Sequence, residues 1–146
     1  MLFRSPALIP DEYLGDVHQR LLFYKRISNT NVQEKLDNIR MELIDRFGIL
    51  PVAVKQLFSV HEIRIQAEQL GIVKIDINSN GGYIEFAPDT PVQAISIIQM
   101  MQRQPTYFRM EGGQRLKIMV MLEDYEKRIG FMKELLAGLI RELPTN

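Results

Sequence analysis

The stretch Arg40-Met-Glu-Leu-Ile-Asp-Arg-Phe-Gly-Ile-Leu-Pro51 decides how the first half of the chain folds. Before its glycine, apolar side chains recur at steps of three and four residues, which is the repeat of one helix face. These side chains are Val32, Leu36, Ile39, Leu43 and Phe47. Gly48 stands where glycine favours a left-handed helix end, and Pro51 stands where a first-turn residue needs no hydrogen-bond donor. The stretch therefore predicts two helices joined by a short connection.

Acidic residues lie on the other side of the first of these two helices. At about 100° per residue, Glu34, Glu42 and Asp45 are roughly 100–180° away from the apolar stripe. A charged helix face is most often simply solvated. We nevertheless select these three residues as candidates for a protein-interaction surface, because they are the part of the chain best placed to bind a partner.

Helical periodicity extends to both sides of this stretch. Asp11 is a candidate N-cap for an earlier helix, and Asn31 with Glu34 resembles a capping box at the start of the second helix. The earlier helix is predicted to turn one face inward, made of Leu14, Val17, Leu21, Leu22 and Ile27. Pro51 begins a third helix that Gly71 ends. Its inward residues are predicted to be Val54, Leu57, Phe58, Ile63, Ala67 and Leu70.

After Gly71 the apolar repeat changes from 3.6 to 2, which is typical of strands. Residues 72–78 place Val73, Ile75 and Ile77 on one face of a first strand. The glycines of 80–82 suit a tight hairpin turn, and the return strand is predicted to turn Ile84 and Phe86 inward.

A second hairpin is predicted over Thr106 to Met121, with Gly112-Gly113 at its turn. Its return strand alternates Leu116, Ile118 and Val120. Between the hairpins, a short helix from Asp89-Thr-Pro91 to Gln104-Pro105 is predicted to turn inward Val92, Ile95, Ile98 and Met100 or Met101.

A long last helix covers about Glu123 to Leu143. The fold class is therefore α+β: three N-terminal helices, then two antiparallel β-hairpins forming a roughly four-stranded sheet, with an intervening helix and a long C-terminal helix. Helices packed on one face of the sheet are the simplest arrangement, and the strand order stays open.

Composition narrows the functional classes. The 146 residues fit one domain, predicted over 10–146 after a linker of residues 1–9. The chain has no cysteine, which excludes a disulfide framework, a thiolate zinc site and a cysteine nucleophile. It carries 18 basic and 18 acidic residues, so no net positive charge collects phosphate backbones. No apolar run approaches the roughly 20 residues of a membrane span.

Enzyme motifs are missing from the sequence. It contains no phosphate-binding loop, dinucleotide fingerprint, zinc-protease motif or nucleophile elbow. His18 and His61 have no second ligand at metal-binding spacing, so we expect a surface or capping role for them. We therefore predict no catalytic, cofactor or metal site, and we interpret both glycine pairs as hairpin turns.

Nucleic-acid binding is the alternative that the residues leave open. Arg20 and Lys25-Arg26 could contact phosphates. Four aromatic residues in the strands could stack on bases, namely Tyr83, Phe86, Tyr107 and Phe108. Strand alternation sends about half of these aromatic residues into the core, and the charges beside them have mixed signs, so protein binding is favoured.

Three ordered motifs resemble a known family. Ile9-Pro-Asp-Glu-Tyr-Leu14, Arg20-Leu-Leu-Phe-Tyr-Lys-Arg-Ile27 and Glu42-Leu-Ile-Asp-Arg-Phe-Gly-Ile-Leu-Pro51 are similar to I-P-x-x-Y-(I/L), R-L-x-x-Y-K-R-I and E-L-x-D-R-F-G-x-x-P. These motifs occur in the C-terminal domain of the bacterial transcription-repair coupling factor. The resemblance extends over 70–72, 81–86 and the final helix, from about Leu8 to Leu143, although the surface of that helix departs from the family pattern.

The resemblance implies a fragment of a large cytoplasmic, ATP-driven translocase on double-stranded DNA that displaces stalled RNA polymerase and recruits UvrA. ATP and Mg belong to motor domains upstream, so this domain is expected to have no cofactor, catalysis or membrane contact. The family domain is autoinhibitory: it docks on an N-terminal UvrB-like module and masks an arginine-rich UvrA-binding surface. The motif E-L-x-D falls on Glu42 and Asp45. The alternative is an auxiliary nucleic-acid-binding module of a repair or transcription machine.

Overall fold

The computed structural model describes residues 8–145, which form two compact units, 8–65 and 66–145. The described residues contain five α-helices and four β-strands, which confirms the predicted α+β class. In chain order these are α1 (Val17–Ser28), α2 (Gln33–Phe47), α3 (Val52–Gln69), β1 (Ile72–Asn78), β2 (Gly81–Phe86), α4 (Ala94–Arg103), β3 (Phe108–Glu111), β4 (Arg115–Ile118) and α5 (Tyr125–Arg141).

The first unit is helical and surrounds one apolar core. The core consists of Ile9, Leu14, Phe23, Ile27, Leu36, Ile39, Leu43, Leu50, Val54, Phe58 and Ile65. The predicted α2 stripe is confirmed at its three central positions and in part at Phe47, which packs on the edge of the core. Val32 is exposed because it precedes the first turn of the helix. Ile9 is buried, so the core reaches into the predicted linker, whose residues 1–7 lie outside the described part of the chain.

The first helix begins later than predicted. Its N-cap is Asp16, whose carboxylate accepts hydrogen bonds from the backbone N–H groups of His18 and Gln19. The predicted Asp11 cap is wrong, and Val17, Leu21 and Leu22 are exposed while Phe23 and Ile27 are buried. The physical reason is a separate turn over residues 10–14, which breaks the helical phase between Leu14 and the helix.

The capping box predicted for α2 does not form. Val32 occupies the N-cap position and no side chain accepts a hydrogen bond there, so Asn31 and Glu34 are not joined through the helix start. The opposite end of α2 lies at the predicted glycine, although ψ −163° places Gly48 outside the left-handed helical region. Gly48 has φ +91° and donates its N–H to the carbonyl of Ile44 at 2.9 Å.

The connection between α2 and α3 is tied to the segment before α1. The hydroxyl of Tyr13 lies 2.7 Å from the carbonyl oxygen of Gly48 and 3.1 Å from that of Leu43. Pro51 accepts the first hydrogen bonds of α3 through its carbonyl, from Val54 and Lys55. The predicted short connection is therefore confirmed, and Tyr13 fixes the backbone where it turns.

The second unit contains a four-stranded antiparallel sheet in the order β1-β2-β4-β3. The two hairpins are confirmed, with β2 and β4 as the central strands. Ile84 pairs with Ile75 on one side and with Leu116 on the other, and all three side chains are fully buried. This row forms the centre of the buried sheet face.

The inward face was predicted wrongly at the start of β1. The pairing between β1 and β2 shifts between Ile72 and Lys74, as in a β-bulge. Ile72 and Ile75 are consequently buried, whereas Val73 is 56% exposed. A bulge adds one residue to the strand and reverses the faces before it, which simple alternation cannot anticipate.

The inward face of α4 was predicted wrongly at Ile95 and Ile98 and is confirmed at Met100, one of the two alternatives. The helix begins at Ala94 and buries Ser96, Ile97 and Met100, while Ile95 and Ile98 are exposed. The helix is apolar around much of its circumference, so periodicity alone does not choose between its faces. Its predicted end is confirmed at Gln104, the C-cap.

The last helix is confirmed over most of its predicted length. Asp124 caps α5 by accepting from the N–H of Lys127 at 2.8 Å. The buried residues of α5 are Ile129, Met132, Leu135, Leu136 and Leu139. Phe131 stacks on Phe108 with ring centroids 6.1 Å apart, which places α5 against β3.

Gly81→Ala should destabilise the second unit. Gly81 has φ +107°, and an added methyl group would lie 2.2 Å from the backbone carbonyl oxygen of Ile118. We expect the free energy of unfolding in urea to fall by about 1–3 kcal/mol from backbone strain. The control is Gly130→Ala inside α5, where the methyl group meets open space and should add about 0.5–1 kcal/mol. Unchanged stability of Gly81→Ala would contradict the described turn.

Candidate protein-interaction surface

The exposed side of α2 carries a straight line of four residues, Glu34, Asn38, Met41 and Asp45. At about 100° per residue they lie within a sector of roughly 60°, on the side opposite the buried stripe. We call these four residues the outer stripe. All four are exposed, so the outer stripe presents a carboxylate toward each end of the helix and an uncharged middle.

The two carboxylates of the outer stripe are not neutralised within the described chain. Over residues 8–145, neither Glu34 nor Asp45 makes an ion pair or a side-chain hydrogen bond. Both side chains are exposed to solvent. Two of the three sequence candidates are placed on one accessible face, and their role in partner binding stays a prediction.

Glu42, the third candidate, is held by two arginines. Its carboxylate accepts hydrogen bonds from both terminal nitrogens of Arg26, at 2.8 and 3.0 Å, and from Arg46 at 3.0 Å. The hydrogen bond from Arg26 is the main reason that the pKa of Glu42 is lowered, against the opposing effect of burial. The same bond raises the pKa of Arg26. The predicted joint projection of Glu42 and Asp45 is corrected here, because Glu42 turns toward α1 and joins it to α2.

Aromatic rings support these two arginines. Phe23 and Phe47 meet edge to face with centroids 6.2 Å apart. The guanidinium carbon of Arg26 lies 5.0 Å from the centroid of Phe23, and that of Arg46 lies 5.0 Å from Phe47. Such contacts are within the range of cation–π attraction. The ion pairs are thus seated on the apolar core, which fixes the rotation of α2.

The opposite flank of α2 is held in a similar way. Arg40 donates to Asp37 at 3.1 Å and to Glu62 of α3 at 2.8 Å. Gln33 donates to the same two carboxylates at 2.9 and 3.0 Å. Networks to α1 on one flank and to α3 on the other therefore hold the outer stripe in a fixed orientation between them.

The histidines do not form a site in the described residues. His61 is buried, and its Nε2 lies 2.8 Å from the carbonyl oxygen of Thr30, while burial lowers its pKa. His61 therefore has a structural role near the end of α1. Of the two roles predicted for it, a surface position is wrong because the side chain is buried. His18 is exposed at the start of α1. Residues 8–145 contain no group of three or more histidine, cysteine or acidic residues that could hold a metal. None of the described helices is long and apolar enough to cross a membrane.

The basic residues considered for phosphate binding are largely engaged inside the first unit. The guanidinium of Arg20 donates to the carbonyl oxygens of Leu14 at 2.7 Å and Gly15 at 3.2 Å. Arg26 is paired with Glu42. Of the three basic candidates, only Lys25 makes no such contact among the described residues. One free lysine is a weak basis for phosphate binding.

The aromatic candidates for base stacking are also mostly unavailable. Phe86 and Phe108 are buried. The ring of Tyr83 already has Arg115 at 3.9 Å and Lys74 at 5.5 Å from its centroid. Of these four rings, only that of Tyr107 is exposed. Nucleic-acid binding by base stacking usually uses several accessible rings, so this observation does not favour it.

Sequence reasoning missed two features of this surface. The first is that Met41 and Ile44 are exposed beside the carboxylates. The exposure of Met41 could have been predicted from the sequence, because a helical projection of α2 places it opposite the buried stripe. The partnership of Arg26 with Glu42 joins residues 16 positions apart on different helices. No local pattern predicts such a pair.

Glu42→Gln should weaken the contact between α1 and α2. Both partners are about one third exposed, so we expect a loss of about 0.5–1 kcal/mol in unfolding free energy at neutral pH. The folded-state pKa of Glu42 lies below its usual 4.5. Its contribution is therefore complete above that value and is lost as the pH falls through the lowered pKa.

The measurement is a pH series of urea unfolding for the wild type, Glu42→Gln and the control Asp45→Asn. Wild type and Glu42→Gln should converge in acid, whereas Asp45→Asn should stay within about 0.5 kcal/mol of the wild type throughout. A deficit in Glu42→Gln that persists unchanged in acid would show that the carboxylate charge is not responsible.

Comparison with known proteins places this chain in a family. A family model of the TRCF domain matches residues 3–97. The transcription-repair-coupling factor of Haemophilus influenzae is 44% identical over 133 residues, 91% of this chain and 12% of that protein. The Escherichia coli protein of the same name is 40% identical over 143 residues, 98% of this chain and 12% of that protein.

A solved structure agrees with the fold. The crystal structure described as the C-terminal domain of transcription-repair coupling factor superposes with a TM-score of 0.77 over 92% of this chain and 87% of that chain, at 19% identity. This chain spans about 12% of the length of the two relatives named above. Because the family match covers well over half of the residues, the chain belongs to the TRCF domain family of the transcription-repair coupling factors.

Proposed function

We propose that this chain is a non-catalytic, autoinhibitory protein-interaction domain of a transcription-coupled DNA-repair translocase. In this proposal the outer stripe docks on an N-terminal UvrB-like module of the same protein and masks the surface that binds UvrA. The masked surface is rich in arginine, so an acidic helix face is electrostatically complementary to it.

The observation that carries the proposal is the contrast among the acidic residues of α2. Asp37 and Glu42 are each paired with an arginine inside the domain. Glu34 and Asp45 point to solvent without a partner in the described chain. The domain therefore pairs two of the four acidic residues of α2 internally and leaves the two that face outward without an internal partner. Unpaired outward carboxylates on a rigid helix can attract a basic surface.

The strength required of this contact is modest. When both sides belong to one chain, the linker supplies a high effective concentration, so a weak intrinsic contact keeps the site closed. Another partner can release such a contact if it binds the open form of the protein only moderately more tightly than the closed form. Release then exposes the UvrA site without any chemistry in this domain.

The remaining functions belong to the whole protein in this proposal. ATP and Mg bind motor domains that precede this chain, and those domains contact double-stranded DNA and RNA polymerase in the bacterial cytoplasm. Support comes from the family, whose members with the highest identity named above are transcription-repair-coupling factors. The chain itself contributes a surface that another part of the protein recognises.

Glu42 has a supporting role in this proposal. It corresponds to a family-motif position, and it connects α2 to Arg26 while Asp45 stays exposed one turn away. A change of Glu42 to arginine would place three cations together and disturb the helix pair. Tests of docking should therefore alter Glu34 and Asp45 and leave Glu42 intact.

Glu34→Arg with Asp45→Arg should open the clamp in the full-length protein. Attraction to the arginine-rich surface becomes repulsion, so we expect UvrA binding to increase several-fold in a pull-down or titration. The control is Glu68→Arg, a charge reversal at an exposed helical position in the second unit. Circular dichroism of the 146-residue chain checks the fold of each variant. A folded double variant with wild-type, low UvrA binding would refute docking through the outer stripe.

The isolated chain should not bind double-stranded DNA appreciably at low salt. Its net charge is zero, and Arg20 and Arg26 are engaged internally. Fluorescence anisotropy with labelled duplex provides the measurement, because phosphate contacts are strongest at low salt. Tight binding that weakens steeply with added salt would favour the auxiliary nucleic-acid-binding module.

A further inference from the structure

The middle of the outer stripe is apolar, which charge complementarity alone does not explain. Met41 is 56% exposed between the two carboxylates, and Ile44, one turn before the end of the helix, is 37% exposed beside it. The opposite, buried side of α2 already supplies the core with three apolar residues. Met41 is therefore not needed for packing within the described chain.

The spacing of these side chains along the helix is fixed. At 1.5 Å per residue, Met41 lies about 6 Å from Asp45 and about 10 Å from Glu34 along the helix axis. The carboxylates are thus about 16 Å apart, with the methionine nearer to Asp45. The helix rise fixes these separations, and the buried stripe together with the networks through Glu42 and Arg40 fixes the side of α2 that faces outward.

The carboxylates and the methionine are suited to different tasks. Exposed ion pairs contribute little affinity, although they direct encounter and orientation. An apolar side chain that becomes fully desolvated at the centre of an interface commonly contributes much more. Methionine is unbranched and polarizable, and it adapts to irregular pockets.

We propose that Met41 is the apolar anchor of the docking surface, inserted into an apolar pocket of the partner that two cationic side chains flank about 16 Å apart. This inference rests on the proposed function and identifies the chemistry of the surface that the domain covers. Asp45 and Glu34 select the cationic rim, while Met41 supplies most of the affinity.

Leu21, another exposed apolar residue of the same unit, lacks this arrangement. Leu21 is 61% exposed on α1, yet its helix offers no acidic residue to flank it. Leu21 therefore provides a matched control for general apolar exposure, whereas Met41 combines exposure with flanking charges that fit a cationic surface.

The test uses the full-length protein with Met41→Gln, Met41→Leu and Leu21→Gln, together with a protein that lacks residues 8–145. UvrA affinity is measured by titration, and thermal unfolding confirms that each variant is folded. Met41→Gln keeps the length of the side chain and removes its apolar character. We expect it to raise UvrA affinity by about tenfold, the size of a typical anchor effect, toward the value of the deletion. Met41→Leu and Leu21→Gln should bind UvrA as the wild type does.

Three results would overturn the inference, and they are distinguishable. If Glu34→Arg with Asp45→Arg raises UvrA affinity but Met41→Gln does not, the clamp stands and the anchor is refuted. If Leu21→Gln or Met41→Leu raises affinity as much as Met41→Gln, an apolar anchor at Met41 is refuted as well. If deletion of residues 8–145 leaves UvrA affinity unchanged, the proposed function fails and the anchor fails with it.

Discussion

The carboxylate of Glu42 is the point on which the orientation of the helical unit depends. It lies between Arg26 of α1 and Arg46 of its own helix, and both arginines rest against the rings of Phe23 and Phe47. Charge, hydrogen bonding and apolar packing therefore act at one place. A partly exposed ion pair alone contributes little stability, but here it also sets the direction in which the other side of α2 faces.

The acidic residues of α2 divide into two that are paired within the unit and two that face solvent. Glu42 connects α2 to α1, and Asp37 is paired with Arg40 within α2, whereas Glu34 and Asp45 have no internal partner in the described chain. A rigid, preorganised face would lose less conformational entropy in the docking that we propose. The same helix thus packs within the unit on three sides and exposes its fourth side to solvent.

The sheet unit shows how small backbone features decide side-chain direction. The bulge at the start of β1 exposes Val73, and the rotation of α4 about its own axis exposes Ile95. Neither event changes the order of elements, yet each reverses which apolar residues reach the core. Gly81 permits the close approach of β2 to β4 because its missing side chain leaves room for the carbonyl of Ile118.

The sequence by itself determined the order and type of the elements, the end of α2 at Gly48 and the central core stripe, because periodicity and glycine conformation are local properties. It also placed Glu34 and Asp45 on an outward face, since helical geometry follows from spacing. Only the tertiary structure decided that Glu42 turns inward to Arg26, that His61 is buried and that β2 lies beside β4. These outcomes depend on residues distant in the chain that meet when the helices and strands pack, and no local repeat contains that information.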